Sequence, residues 1–223
     1  MYALPQKDIK STINKNVVVF VHGRNGSPVD FKPLIDNIKA KSEIIEGNED
    51  TILLENSDVC ALRTINLGNT AYTSVEQDIE SLKLQLLAYH NCNITLVGLS
   101  KEGLVVMGYA SLKNDPRIKK VITISSPLKG TYISHLFPQT SVVRQSLGFG
   151  SIISRDIEAA KKSLTIPIYH VVPTWDWLIV PTESAYYNDT PASNIYKYEG
   201  FYYSHSGITF CPEVADSIIK WIN

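Results

Sequence analysis

The sequence predicts an α/β fold with a mostly parallel sheet of about six strands and helices on both faces. Three features predict it: short apolar runs rich in β-branched residues recur, stretches with helical period fall between them, and no repeat, low-complexity tract or Pro/Gly/Ser-rich linker divides the chain. A strand that alternates with a helix forces each connection back along a sheet face. Neighbouring strands are then parallel and buried on both sides.

The first strand is VVVFV at 17–21, stopped by His22-Gly23, and a helix is expected from Phe31 onward. Residues 62–67 form the second strand. Over 75–89 the residues Val75, Ile79, Leu82, Leu86 and Leu87 share one helical stripe, with Thr73 or Ser74 placed to cap it. A third strand at 94–99, a helix at 104–112 and a fourth strand at 121–125 follow, closed by Pro127. After a less regular stretch come strands at 166–172 and 195–198 and a last amphipathic helix at 214–222. In such sheets, functional groups collect at the carboxyl ends of the strands.

With 223 residues, a single domain over 1–223 is expected. Its 44% hydrophobic and 19% charged residues supply enough apolar surface to offset chain entropy, which excludes a disordered chain. Basic and acidic residues nearly cancel (21 against 22), so no field exists to draw in nucleic acid, and none is expected as a partner. Cys60, Cys92 and Cys211 are an odd, widely spaced set that matches neither a disulfide framework nor a metal-binding CxxC pair, and they read as reduced thiols. No H-E-x-x-H pattern or ligand cluster occurs, so neither a metal nor another cofactor is expected. The N-terminal residues lack the apolar run of a signal peptide, and no stretch of about 18 apolar residues offers a membrane span. Cytoplasmic residence is the expectation, with export by a route without a cleaved signal left open.

Ser100 is the candidate nucleophile, because LVGLSKEGLVVMGYA places it between a strand and a helix. A serine on that sharp turn projects above the sheet, beside the free N–H groups and positive dipole of the helix start. Gly98 and Gly103 supply the small residues a crowded turn needs. The usual pattern is G-x-S-x-G, and here Glu102 occupies the second glycine position. Either Gly103 relieves the crowding one residue later, or Glu102 points outward from an opened turn. The other reading of Ser100 is a plain helix cap.

At the end of the first strand, Gly23 allows a sharp turn. The N–H of Arg24 or a near neighbour, together with that of Lys101, is expected to form an oxyanion hole. His22 more simply braces this loop, and Asn25-Gly26 reads as a tight turn. Among five histidines, His90 ends a helix and His170 alternates within an apolar strand, so both are structural. His135 is the rival base. His205 lies in a loop between the last strand and last helix and is the preferred base. Asp176, in the loop after the fifth strand, is the preferred orienting acid, with Asp189 in reserve. Trp175 and Trp177 flank Asp176, where they either shield the carboxylate or simply pack.

Taken together, VVVFVHGRNGSPVDFKPL, LVGLSKEGLVVMGYA, VITISSPLKGT and SHSGITFCPEVADSIIKWI resemble, in order, segments of the lipase and esterase branch of the α/β-hydrolase superfamily. The resemblance implies triad roles for Ser100, Asp176 and His205 and oxyanion roles for the backbone at Arg24 and Lys101. It also implies a minimal version of the α/β-hydrolase fold that lacks the usual first strands, since only a short tail precedes Val17. The family inserts a cap where this chain has 130–164, so a small lid is expected there. Ile133, Leu136, Phe137, Val142, Val143, Leu147 and Phe149 are its candidate acyl-pocket residues, with plain packing as the other reading.

The expected activity is a serine hydrolase that cleaves a carboxylic ester through an acyl-enzyme, acting on a small-molecule acyl ester or lipid, with transient contact to a lipid surface. A thioesterase or protein deacylase would use the same triad. A non-catalytic binding protein on the same fold is the alternative that Glu102 favours. Six tyrosines near the histidine loop, from Tyr186 to Tyr203, read as half-buried aromatics rather than an entrance.

Overall fold

The computed structural model describes residues 16–45, 48, 50–190, 193–200 and 202–223. The expectation about missing first strands concerns residues that lie outside these.

Eight strands build one sheet: β1 (Asn16–Val21), β2 (Glu43–Ile44), β3 (Thr51–Leu53), β4 (Val59–Ile65), β5 (Asn93–Leu99), β6 (Ile118–Ile124), β7 (Ile168–Pro173) and β8 (Ser193–Tyr198). Their spatial order is β2-β3-β4-β1-β5-β6-β7-β8. The six predicted strands are the six that run parallel, from β4 through β8. The additional pair, β2 and β3, is antiparallel and extends the β4 edge. Each is too short to carry a hydrophobic period, which is why the sequence does not announce them.

β1 sits between β4 and β5, and Val17 to Val21 are all nearly inaccessible. Alternate residues of these strands feed two cores on opposite faces. Val17, Val19 and Val21 pack with α2 (Val75–Gln85) and α3 (Lys101–Lys113), while Val18 and Phe20 pack with α1 (Lys32–Ala40) and α6 (Pro212–Ile222). Burying a side chain such as Leu82 or Ile218 fully contributes roughly 1.5–3 kcal/mol, so the strand alternation sets the layers.

Helix starts follow local capping chemistry. Ser74 caps α2 through the Gln77 N–H, and the Gln77 side chain returns a bond to Ser74 N, a reciprocal box. The predicted 75–89 helix tightens into a 3-10 turn at Leu86–Tyr89. α3 begins at Lys101, directly after Ser100, earlier than the apolar run at 104 suggested.

The irregular stretch after Gly130 contains a 3-10 turn (Tyr132–Leu136), α4 (Val142–Leu147) and α5 (Ile152–Ala160). Ser141 and Ser151 cap the two helices through the N–H groups of Arg144 and Ser154. Ile153 and Ile157 tie α5 to the core beside α3. No helix among the described residues is long and apolar enough to cross a membrane.

Candidate active site

The turn from β5 into α3 holds Ser100 at φ 58°, ψ −126°, an unfavourable conformation for a residue with a side chain. Ser100 N–H donates to Ile124 O at 2.8 Å, and Gly103 N–H donates to Ser100 O at 3.0 Å, so both sides of the turn are tied down. A Cβ at Gly98 would lie 2.4 Å from the backbone oxygen of Glu102, and one at Gly103 would lie 1.8 Å from Ser126 Oγ. Both glycines are therefore required. Gly103 clears the end of β6, which answers the sequence's question about the departure from G-x-S-x-G. Glu102 does not point outward: it is 0% exposed, with neither carboxylate oxygen hydrogen-bonded among the described residues. Burial pushes its carboxyl up to about 8, against the pull of Lys101.

Ser100, His205 and Asp176 come from three loops at the carboxyl end of the sheet. The Ser100 hydroxyl donates to His205 Nε2 at 2.8 Å, and His205 Nδ1–H donates to Asp176 Oδ2 at 2.7 Å. The second oxygen of Asp176 accepts Leu178 N–H at 2.9 Å, and its side chain is almost wholly buried. Trp175 and Trp177 turn outward, 66% and 68% exposed, so neither shields the carboxylate.

The other histidines sit elsewhere. Buried His170 bridges Thr123 and Tyr187 N–H, with burial pushing its pKa down to about 3. His22 donates from Nδ1 to Gly23 O and accepts Leu67 N–H at Nε2, which braces the ends of β1 and β4. The rival base His135 is exposed beside Arg144 and away from Ser100. Asp189, the reserve acid, pairs with fully buried Lys161 at 2.5 Å.

The loop after β1 closes on the same point: a Cβ at Gly23 would come within 3.4 Å of Ser100 Cβ. Among the described residues, neither Arg24 N–H nor Lys101 N–H donates a hydrogen bond, while the N–H groups of Asn25 and Gly26 are both engaged. Both predicted donors are thus without another partner among the described residues.

A cavity of about 290 Å³ opens at Ser100 and His205. Of the predicted acyl-pocket residues, Ile133, Phe137, Val143 and Leu147 line it. Leu136, Val142 and Phe149 do not, and Leu136 is 80% exposed. Sequence reasoning missed Pro127, Leu178 and Ile179 on its wall, although the apolar pair that follows Trp177, two residues past Asp176, was a usable signal. The Arg24 guanidinium lies 5.6 Å from the centre of the Phe137 ring at the rim. None of the six tyrosines lines this cavity, and all but Tyr202 are at least half-buried, packed into the hydrophobic clusters.

The parallel sheet, its strand order and the turn at Ser100 define the α/β-hydrolase fold, and the chain has that fold. Solved structures agree. The chain superposes on the monoacylglycerol lipase of Paleococcus ferrophilus with a TM-score of 0.60 and 16% identity, covering 94% of each chain. A lipase-esterase related protein of Clostridium acetobutylicum matches with a TM-score of 0.61 and 19% identity over 93% of this chain and 95% of that one. A bromoperoxidase of Bacillus anthracis matches with a TM-score of 0.62 and 14% identity over 93% and 92%. No protein-family model matches the chain, and no curated protein matches its sequence. Since that fold carries both lipases and a bromoperoxidase, function has to be argued from the site.

Proposed function

We propose that the protein is a serine hydrolase that cleaves carboxylic esters, with Ser100 as nucleophile, His205 as base and Asp176 as orienting acid. The observation that carries the proposal is the continuous hydrogen-bonded chain from Ser100 Oγ through the His205 ring to Asp176, opening onto an apolar cavity. As Oγ bonds to the acyl carbon, His205 Nε2 takes its proton, and buried Asp176 steadies the resulting imidazolium. Negative charge gathers on the former carbonyl oxygen, for which Arg24 N–H and Lys101 N–H are the available donors. Collapse breaks the ester C–O bond, and His205 returns the proton to the leaving alcohol. Water then repeats the sequence on the acyl-serine and releases the acid.

The cavity is at the small end of the range of roughly 300–1,000 Å³ typical of ligand sites, and the larger part of its exposed wall is apolar. That favours a single acyl chain of short or medium length. Glu102, the feature that spoke for a non-catalytic protein, faces the interior and is absent from the cavity wall, so it does not obstruct Ser100. We further propose that 1–223 acts as one domain and that the segment 130–164 covers the acyl side of the cavity as a small lid.

The test is reaction with a fluorophosphonate and hydrolysis of p-nitrophenyl esters of graded chain length. Covalent modification at Ser100 and ester turnover that Ser100→Ala abolishes are expected. An unmodified Ser100 at neutral pH, or turnover that survives Ser100→Ala, refutes the proposal.

A further inference from the structure

Lys101 follows Ser100, and its backbone N–H is one of the two oxyanion donors discussed above. Its side chain does something separate. Only 3% exposed, it crosses to the loop before α2, where Nζ donates to Thr70 O at 2.8 Å, Thr73 O at 2.7 Å and Asp78 Oδ2 at 2.6 Å. All three ammonium protons are thereby used, as burial of that charge requires.

Thr70 is fully buried and carries the contact one step further. Its hydroxyl accepts Asn25 N–H at 3.1 Å and donates to Gly23 O at 3.3 Å. These two bonds flank Arg24 on either side, so one hydroxyl fixes both peptide units around the second oxyanion donor. A helix start and a strand-end loop that share no backbone pairing are thus joined through a single lysine and a single threonine.

Resting on the hydrolase reading above, we propose that the Lys101 side chain and Thr70 are positioning residues that hold the Arg24 N–H in register with the Lys101 N–H for the developing oxyanion. Neither side chain touches substrate; each acts through the loop. Asp78 anchors the ammonium. Glu102, the buried carboxyl next in sequence, lies beside the same three groups: Lys101, Asp78 and Thr70. Its raised pKa keeps it uncharged at neutral pH, so Lys101 answers to one carboxylate rather than two. The cluster carries no net charge while Glu102 holds its proton.

The experiment compares steady-state ester hydrolysis by the wild-type chain, Thr70→Val, Thr70→Ser and the pair Lys101→Met/Asp78→Asn, which removes both charges together so that neither is left buried alone. Thermal melting confirms that each variant is folded. Thr70→Val keeps the shape and the carbonyl that accepts Lys101 but loses the hydroxyl, so kcat is expected to fall about 10- to 100-fold with KM changed less than about threefold, because the donor acts only in the transition state. Thr70→Ser is expected to restore most of kcat. The Lys101→Met/Asp78→Asn pair should resemble Thr70→Val, and all three changes together should cost little more than either set alone, as expected for links in one chain of contacts.

A folded Thr70→Val with wild-type kcat, a loss confined to KM, or effects that simply multiply would overturn the positioning role while leaving the hydrolase intact. A wild-type chain that does not turn over esters, or one whose turnover survives Ser100→Ala, overturns both.

Discussion

Asp176 is held by Leu178 N–H on one oxygen and His205 on the other, so the imidazole has one tautomer available to it. Asp176→Asn retains the shape but offers an amide that favours the wrong tautomer, and kcat is expected to fall by about 10³- to 10⁴-fold with little change in KM. The reserve candidate gives the contrast. Asp189→Asn removes the partner of buried Lys161, so it should lower the melting temperature while kcat per folded molecule stays near wild type. Kinetics that reverse the two outcomes would reassign the acid. These residues were legible because position discriminates among them: Ser100, Asp176 and His205 each follow a strand end, whereas His170 lies within a strand. The orientation of Glu102 was not legible, since nothing local in the sequence says whether the second residue of a helix faces solvent or the sheet. The clamp by Thr70 depends on a contact 47 positions away in the chain.

At the scale of elements, the elbow between β5 and α3 is a packing problem solved by glycine. Gly98→Ala sets a methyl 2.4 Å from a backbone oxygen that cannot move without shifting the helix start. It is expected to destabilise the fold by about 1–3 kcal/mol and to lower kcat as Ser100 is displaced; a melting temperature and kcat equal to wild type would argue that the elbow can relax. On α4, Val143 and Leu147 lie one helical turn apart and both face the cavity, while Val142 turns away. Leu147→Phe should shorten the preferred acyl chain, read as kcat/KM across a series of esters; an unchanged preference would place the chain elsewhere. Strands buried on both faces were readable because their runs are apolar on both faces, unbroken in β1 and interrupted only by Thr95 and Gly98 in β5. β4 was read about three residues late, because Leu67, taken as its end, instead donates its N–H to His22 beyond the sheet. α4 and α5 were blurred because each is short and leans on a serine cap, although the caps at Ser141 and Ser151 were there to be found.

Across the whole molecule, two buried groups oppose each other in their effect on stability with pH. His170 is held down to about 3, from an ordinary 6.5. Between those values the unfolded chain binds a proton that the folded chain does not, so stability is present above 6.5 and is lost as pH falls. Glu102 is held up at about 8, from an ordinary 4.5. In that window the folded chain keeps a proton that the unfolded chain has released, so its contribution is full below 4.5 and is lost as pH rises. From about 4.5 to 6.5 the two slopes cancel, below that range His170 dominates, and above it Glu102 does. The melting temperature should therefore be nearly level between those values and decline on both sides. Glu102→Gln, which imitates the protonated acid, should remove the alkaline decline and leave the acid one, with a melting point near pH 9 higher than wild type by about 3 °C or more. A wild-type melting temperature that keeps rising from pH 6.5 to 8 would mean that Glu102 is ionised in the folded protein, and the neutral cluster behind Ser100 would have to be abandoned.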